Sequence, residues 1–173
     1  MTAAANKVAG KTINKVGGGD GALAVKLVST ADDGGVNLTT VGGTATQTFE
    51  VTGNVTFSGT LHGSIKTSVA SSQTLTTTAA IANGKTIDGS GSVAITALHS
   101  TLAADLSGIT ASGGRTAAFD DDGTFTGDLG TTTVTVASSK TLTTTAAIAN
   151  GKTIGGSGSV AITALHSTLA ADL

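Results

Sequence analysis

Two histidines stand in equivalent settings, His99 six residues before Asp105 and His166 six residues before Asp172. An imidazole with a carboxylate could move protons or help hold a metal, but either task needs a nucleophile or further ligands, and none recurs nearby. His62 is isolated in a turn-like stretch. The acidic clusters Asp32-Asp33-Gly34 and Asp120-Asp121-Asp122-Gly123 could offer oxygen ligands to Ca²⁺. Asp120, Asp121 and Asp122 are therefore the metal candidates, against a reading as solvated turns that fits them better. No catalytic or cofactor-binding residue is assigned, and no cofactor is expected.

Three glycine-rich stretches imitate known sites. Gly84-Lys85-Thr86 and Gly151-Lys152-Thr153 match the end of a phosphate-binding P-loop, but Ala79 and Ala146 stand where its first glycine belongs. A Gly/Ser turn and an alternating run come next instead of a helix, so a turn entering a strand is expected. The stretch from Gly89, GSGSVA, lacks the helix that a dinucleotide fingerprint requires. GGSGSVAIT from Gly155 carries the glycines of the calcium-binding nonapeptide of secreted RTX proteins, with Val160 in place of its aspartate. Without that carboxylate the loop offers mostly backbone carbonyls, too weak a cage for calcium.

These residues sit inside a repeat. The stretch Val69 to Leu106 returns 67 positions later as Val136 to Leu173, with only Gln73 changed to Lys140 and Asp88 to Gly155. GKTI occurs at Gly10, Gly84 and Gly151, each time followed by an Ala/Val alternation, which defines units 10–83, 84–150 and 151–173 of one elongated domain spanning 1–173. The third unit breaks off where the second continues, so a segment of a longer array is expected. Over residues 1–16 a helical stripe competes with a strand, and the match of Gly10 to Ile13 with the later copies favours the strand.

Short Thr, Val and Ala runs between glycine turns read as strands of four to six residues, and the absence of proline leaves backbone ladders uninterrupted. Aliphatic residues recur every six positions from Val69 through Leu75, Ile81 and Ile87 to Val93, and again from Val136 to Val160. This resembles the hexapeptide pattern of left-handed parallel β-helices, but it fails at His99 and Asp105. The favoured alternative is three rungs of roughly 22 residues per unit, the coil length of right-handed β-solenoids such as filamentous haemagglutinins. That register stacks Leu75 on Leu98, brings Ile87 within a residue of Ile109, and gives seven or eight rungs. The expected fold is thus all-β, a parallel β-solenoid, with Leu75, Ile81, Ile87, Val93, Ile95 and their copies Leu142, Ile148, Ile154, Val160 and Ile162 pointing inward.

In composition the chain resembles the Thr/Gly/Ala-rich repeat arrays of bacterial adhesins, haemagglutinins and RTX proteins. The resemblance implies a structural or adhesive segment of an extracellular surface protein, without catalysis, whose partners are neighbouring repeats or other copies stacked end to end. A ligand-binding module for carbohydrate, calcium or ice comes second, and a solenoid-type polysaccharide-degrading enzyme third. Threonine clusters such as Thr76 to Thr78 recur mainly once per unit, so they read as strand formers and not as the ladder an ice-binding face needs. A formal charge of −2 gives no footprint for nucleic acid, no apolar run approaches the ~20 residues of a membrane span, and the N-terminus lacks a signal-peptide core. With no cysteine, disulfides and thiolate sites are excluded.

Overall fold

Alternation of β-branched and small residues sets the local structure. In a strand successive side chains face opposite sides, so TLTTT at 74–78 sends Leu75 and Thr77 inward and leaves Thr74, Thr76 and Thr78 outside. The computed structural model describes residues 2–4, 25–29, 37–38, 47–61, 63 and 65–165. They form a parallel β-solenoid of about six turns with little helix. The strands are β1 (Thr2–Ala4), β2 (Val25–Ser29), β3 (Asn37–Leu38), β4 (Gln47–Val51), β5 (Val55–Phe57), β6 (Thr60–Leu61), β7 (Lys66–Val69), β8 (Thr74–Thr78), β9 (Ile87–Gly89) and β10 (Ser92–Thr96). They continue as β11 (Gly114–Phe119), β12 (Gly123–Thr124), β13 (Thr133–Val136), β14 (Thr141–Thr145), β15 (Ile154–Gly156) and β16 (Ser159–Thr163). Two four-residue helices, α1 (Ala79–Ala82) and α2 (Ala146–Ala149), come after β8 and β14, each capped by the hydroxyl of the preceding threonine, Thr78 or Thr145.

Every strand pairing among the described residues is parallel. One sheet runs β1-β2-β4-β7-β9, a second runs β15-β13-β11-β10-β8-β5, and a third side holds β3-β6 and β12-β14-β16. Coil length varies, from the short step between the ladder partners Thr116 and Thr133 to the long one between Thr2 and Lys26. Most coils are therefore shorter than a third of the repeat unit. Leu75 stacks on Val93 and not on Leu98, because the three hexads from Leu75 to Val93 close that turn. Ile87 does meet Ile109.

The two copies follow the same backbone. Ser72 and Ser139 have φ of +61° and +62°, Ala97 and Ala164 both +53°, and Gly84 and Gly151 both +64°. Leu75 pairs with Val93 as Leu142 pairs with Val160, and Val69 with Gly89 as Val136 with Gly156. Yet the copies do not lie on the same sides. β7 and β9 belong to the five-stranded sheet and their copies β13 and β15 to the six-stranded one, while β8 and β10 of the six-stranded sheet return as β14 and β16 on the third side. With coils of about 20 residues, a 67-residue unit makes about three and a third turns, so each copy advances by one side.

Inside, Phe49, Phe57, Leu75, Ile87, Val93, Ile95, Leu98, Ile109, Phe119, Phe125 and Leu142 are buried. Phe49 and Phe57 meet at 5.3 Å between ring centres, tilted by 52°. Inward threonines reach the neighbouring coil: Thr77 Oγ1 donates to the Phe57 carbonyl at 2.9 Å and Thr144 Oγ1 to that of Phe125 at 3.0 Å. Coils approach closely at glycine. A Cβ on Gly89, whose φ is +103°, would lie 2.2 Å from the Val69 carbonyl oxygen, and one on Gly156 would lie 2.2 Å from that of Val136.

The inward set differs from expectation toward the last coil. Ile81, Ile148 and Ile154 are partly buried against the core, Ile162 is half-buried, and Val160 is 40% exposed, whereas its copy Val93 is 1% exposed. Val93 is sandwiched between Leu75 and Arg115; among the described residues Val160 has a ladder partner, Leu142, on one side only. The strand expected at Gly10 to Ile13 lies outside the described residues.

Candidate functional site

The third side gathers most of the titratable groups singled out from the sequence. A one-turn 3₁₀ helix, Leu98–Ser100, comes after the left-handed Ala97 and holds His99 on the surface. His99 Nδ1 is hydrogen-bonded to the Asp120 carboxylate of the next coil, and the Ser100 hydroxyl lies 2.9 Å from Nε2. Hydroxyl, imidazole and carboxylate thus stand in the order of a nucleophile relay, which sequence spacing missed because Asp120, not Asp105, is the partner. The geometry lacks the other half of such a site. Ser100 N–H and Thr101 N–H, the donors beside the hydroxyl, are spent on the Ala97 and Leu98 carbonyls, and the trio lies on an exposed ledge.

Asp105 serves a turn instead. Its carboxylate accepts from the Ser107 hydroxyl at 2.6 Å and the Ser107 N–H at 2.9 Å, and these two bonds, the hydroxyl's first, hold its pKa below the ordinary aspartate range. Asp128, its neighbour one coil on, caps Gly130 N–H in the same way at 2.8 Å.

Asp120, Asp121 and Asp122 turn to separate partners. Asp120 takes His99, Asp121 takes Lys140 Nζ at 2.7 Å, and Asp122 accepts from Thr141 N–H at 2.6 Å. The Lys140 hydrogen bond lowers the Asp121 pKa and raises that of Lys140. Among the described residues no three His, Cys, Asp or Glu side chains come together as metal ligands. His62, His166, Asp172, Asp32 and Asp33 lie outside the described residues. Gly84 and Gly151 form the left-handed turns expected of the GKT sequences, with Lys85 N–H on Ala82 O and Lys152 N–H on Ala149 O, and these turns enter strands β9 and β15.

The most regular surface is the outer face of the six-stranded sheet. Ladder register places Thr56, Thr76, Ala94, Thr116 and Thr133 in one column on five successive coils. Two residues along, Thr78 pairs with Thr96 and Ala118 with Thr135. Neighbours within a column are spaced about 4.8 Å and positions along a strand about 6.7 Å. The one charged residue in these six strands, Arg115, points inward and is partly buried. Charges such as the Lys66–Asp88 pair at 2.7 Å lie on other sides. The threonine clusters recur mainly once per unit, yet unlike segments, VTF, TLTTT, GRTAAF and TVTV, supply single threonines to the same column. Irregular coil lengths hid this in the sequence.

No helix among the described residues is long and apolar enough to cross a membrane. No protein-family model, curated protein or solved structure matches this chain.

Proposed function

We propose that the chain is a structural or adhesive repeat segment of a bacterial extracellular surface protein, a stiff spacer whose coils stack on neighbouring repeats or on further copies end to end. One observation carries the reading: a parallel ladder runs through every described coil, and the repeat continues it by stepping from side to side without a break. The titratable groups support it, since Asp105, Asp128, Asp122 and Lys140 are engaged in turns and coil-to-coil bonds. A chain without cysteine allows a direct test. Spin labels on Thr52→Cys and Ser157→Cys should give one narrow distance distribution, and a broad one would remove the stiffness on which a spacer depends.

The threonine columns favour a second reading, in which the uncharged face binds an ordered polar surface such as ice. Hydroxyls and methyls at fixed spacings in two directions suit a lattice better than a single small molecule. Ice-recrystallisation inhibition that Thr116→Lys abolishes would support it, and no inhibition by the unaltered chain would end it.

A further inference from the structure

We propose that Arg115, Thr132 and Lys152 form a binding site for a small tetrahedral oxyanion, phosphate or sulfate. The ladder brings them together. Thr116 pairs with Thr133 and Val134 with Ile154, so Arg115, Thr132 and Lys152 occupy one column on three successive coils. Thr132 is 2% exposed. Among the described residues three buried side-chain polar atoms have no hydrogen-bond partner, and two of them, Arg115 Nε and Thr132 Oγ1, are in this column. Such atoms are costly to leave unpaired, and two unpaired donors at adjacent positions point to an acceptor that the chain does not supply.

The surroundings suit an anion. Thr132 and Lys152 line a pocket of about 170 Å³ with Gly130, Thr131, Gly151 and Thr153, and no carboxylate lines it. A water molecule takes about 30 Å³ of liquid, so the pocket has room for a small oxyanion. The Lys152 ammonium is held at its wall by the Gly130 carbonyl. Arg115 lies behind the wall in the same column, with its Nη1 on the Ala111 carbonyl. Asp128 shares the adjoining groove with Lys152, and its Oδ1 accepts from Gly130 N–H. A hydroxyl and an ammonium at the wall, with a guanidinium behind them in the column, are a donor set that suits phosphate or sulfate.

The repeat supplies an internal control. Gly84-Lys85-Thr86 is identical to Gly151-Lys152-Thr153, but the positions beneath Lys85 in the corresponding column are Ile65, buried, and Gln47. Lys85 lines an apolar groove with Leu61, Ala80 and Ile81. The shared tripeptide is therefore not the site; the column is.

Calorimetric titration of the full chain with inorganic phosphate and with sulfate, at low ionic strength and against chloride, tests this. Saturable one-to-one binding with a Kd of about 1 mM or tighter is expected. Lys152→Met and Thr132→Val should each weaken it about tenfold or more, and Lys85→Met should leave it unchanged. Thr132→Val keeps a β-branched side chain of similar volume, and an unchanged melting temperature checks that the fold survives. Phenyl phosphate binding as tightly as phosphate would identify a terminal phosphoryl group as the ligand; weaker binding would identify the free anion. Absence of saturable binding, or binding that ignores both column variants, would overturn the site and leave a pocket holding water only. The spin-label distances that test the spacer reading do not depend on this result.

Discussion

Val69 and Val136 hold the same place in the repeat and lie in different sheets. Val69 pairs with Val51 and Gly89 in the five-stranded sheet, and Val136 with Phe119 and Gly156 in the six-stranded one. A side chain's place in the repeat therefore fixes its local backbone but not its neighbours across the coil.

The clearest consequence concerns Val93 and Val160. An aspartate in place of Val93 would bury an unpaired carboxylate and should cost several kcal/mol, enough to lower the thermal midpoint by many degrees. At Val160, 40% exposed, the same change should cost about 1 kcal/mol or less. Melting curves of the two variants compare them directly, and equal losses would contradict the described burial.

Gly89 and Gly155 separate close approach from open space. Gly89→Ala would drive a Cβ into the Val69 backbone at a positive φ and should destabilise by about 2 kcal/mol or more. A Cβ on Gly155 meets nothing within 4 Å, so Gly155→Ala should leave stability, read from the urea midpoint, within about 0.5 kcal/mol of the parent.

Asp105 gives a pH signature. Its folded pKa lies below 3.8, so the stabilisation from its Ser107 bonds is present above that value and is lost as pH falls through the folded pKa. The carboxylate is exposed, and the effect on global stability is small. Carbon-detected titration should place the Asp105 midpoint below 3.8, and Ser107→Ala should move it upward.

Much of the fold was legible because it is written in local patterns. The hexad Leu75, Ile81, Ile87 and Val93, the glycine turns and the absence of proline specify parallel coils, and Ile87 lands on Ile109 nearly as the sequence suggests. Coil length was not legible. Three equal rungs divide the unit evenly on paper, but the segments between ladder strands differ in length, as 79–86 and 97–113 do, so register is decided by where inward side chains pack. The functional surfaces depend on that register. Thr56, Thr76, Thr116 and Thr133 share no sequence motif, and Arg115, Thr132 and Lys152 come from three separate coils at unequal spacings. Asp120 to Asp122 were visible as a cluster, but their separate partners His99, Lys140 and Thr141 come from neighbouring coils.

With those carboxylates individually engaged, millimolar EDTA should leave the melting temperature unchanged. A fall of many degrees, restored by calcium, would show that a bound ion holds the coils.

The stepping of the repeat rests on coils shorter than a third of the unit, and one pair of cysteines measures it most directly. Thr116 and Thr133 are ladder partners, with Cα atoms about 4.8 Å apart, within the range a disulfide spans. In the otherwise cysteine-free chain, Thr116→Cys with Thr133→Cys should close an intramolecular bridge under mild oxidation, read by intact-mass and peptide mapping, while Thr116→Cys with Ser138→Cys should stay open. Bridging of position 116 to 138 and not to 133 would mean three whole turns per unit, with Val69 and Val136 on the same side.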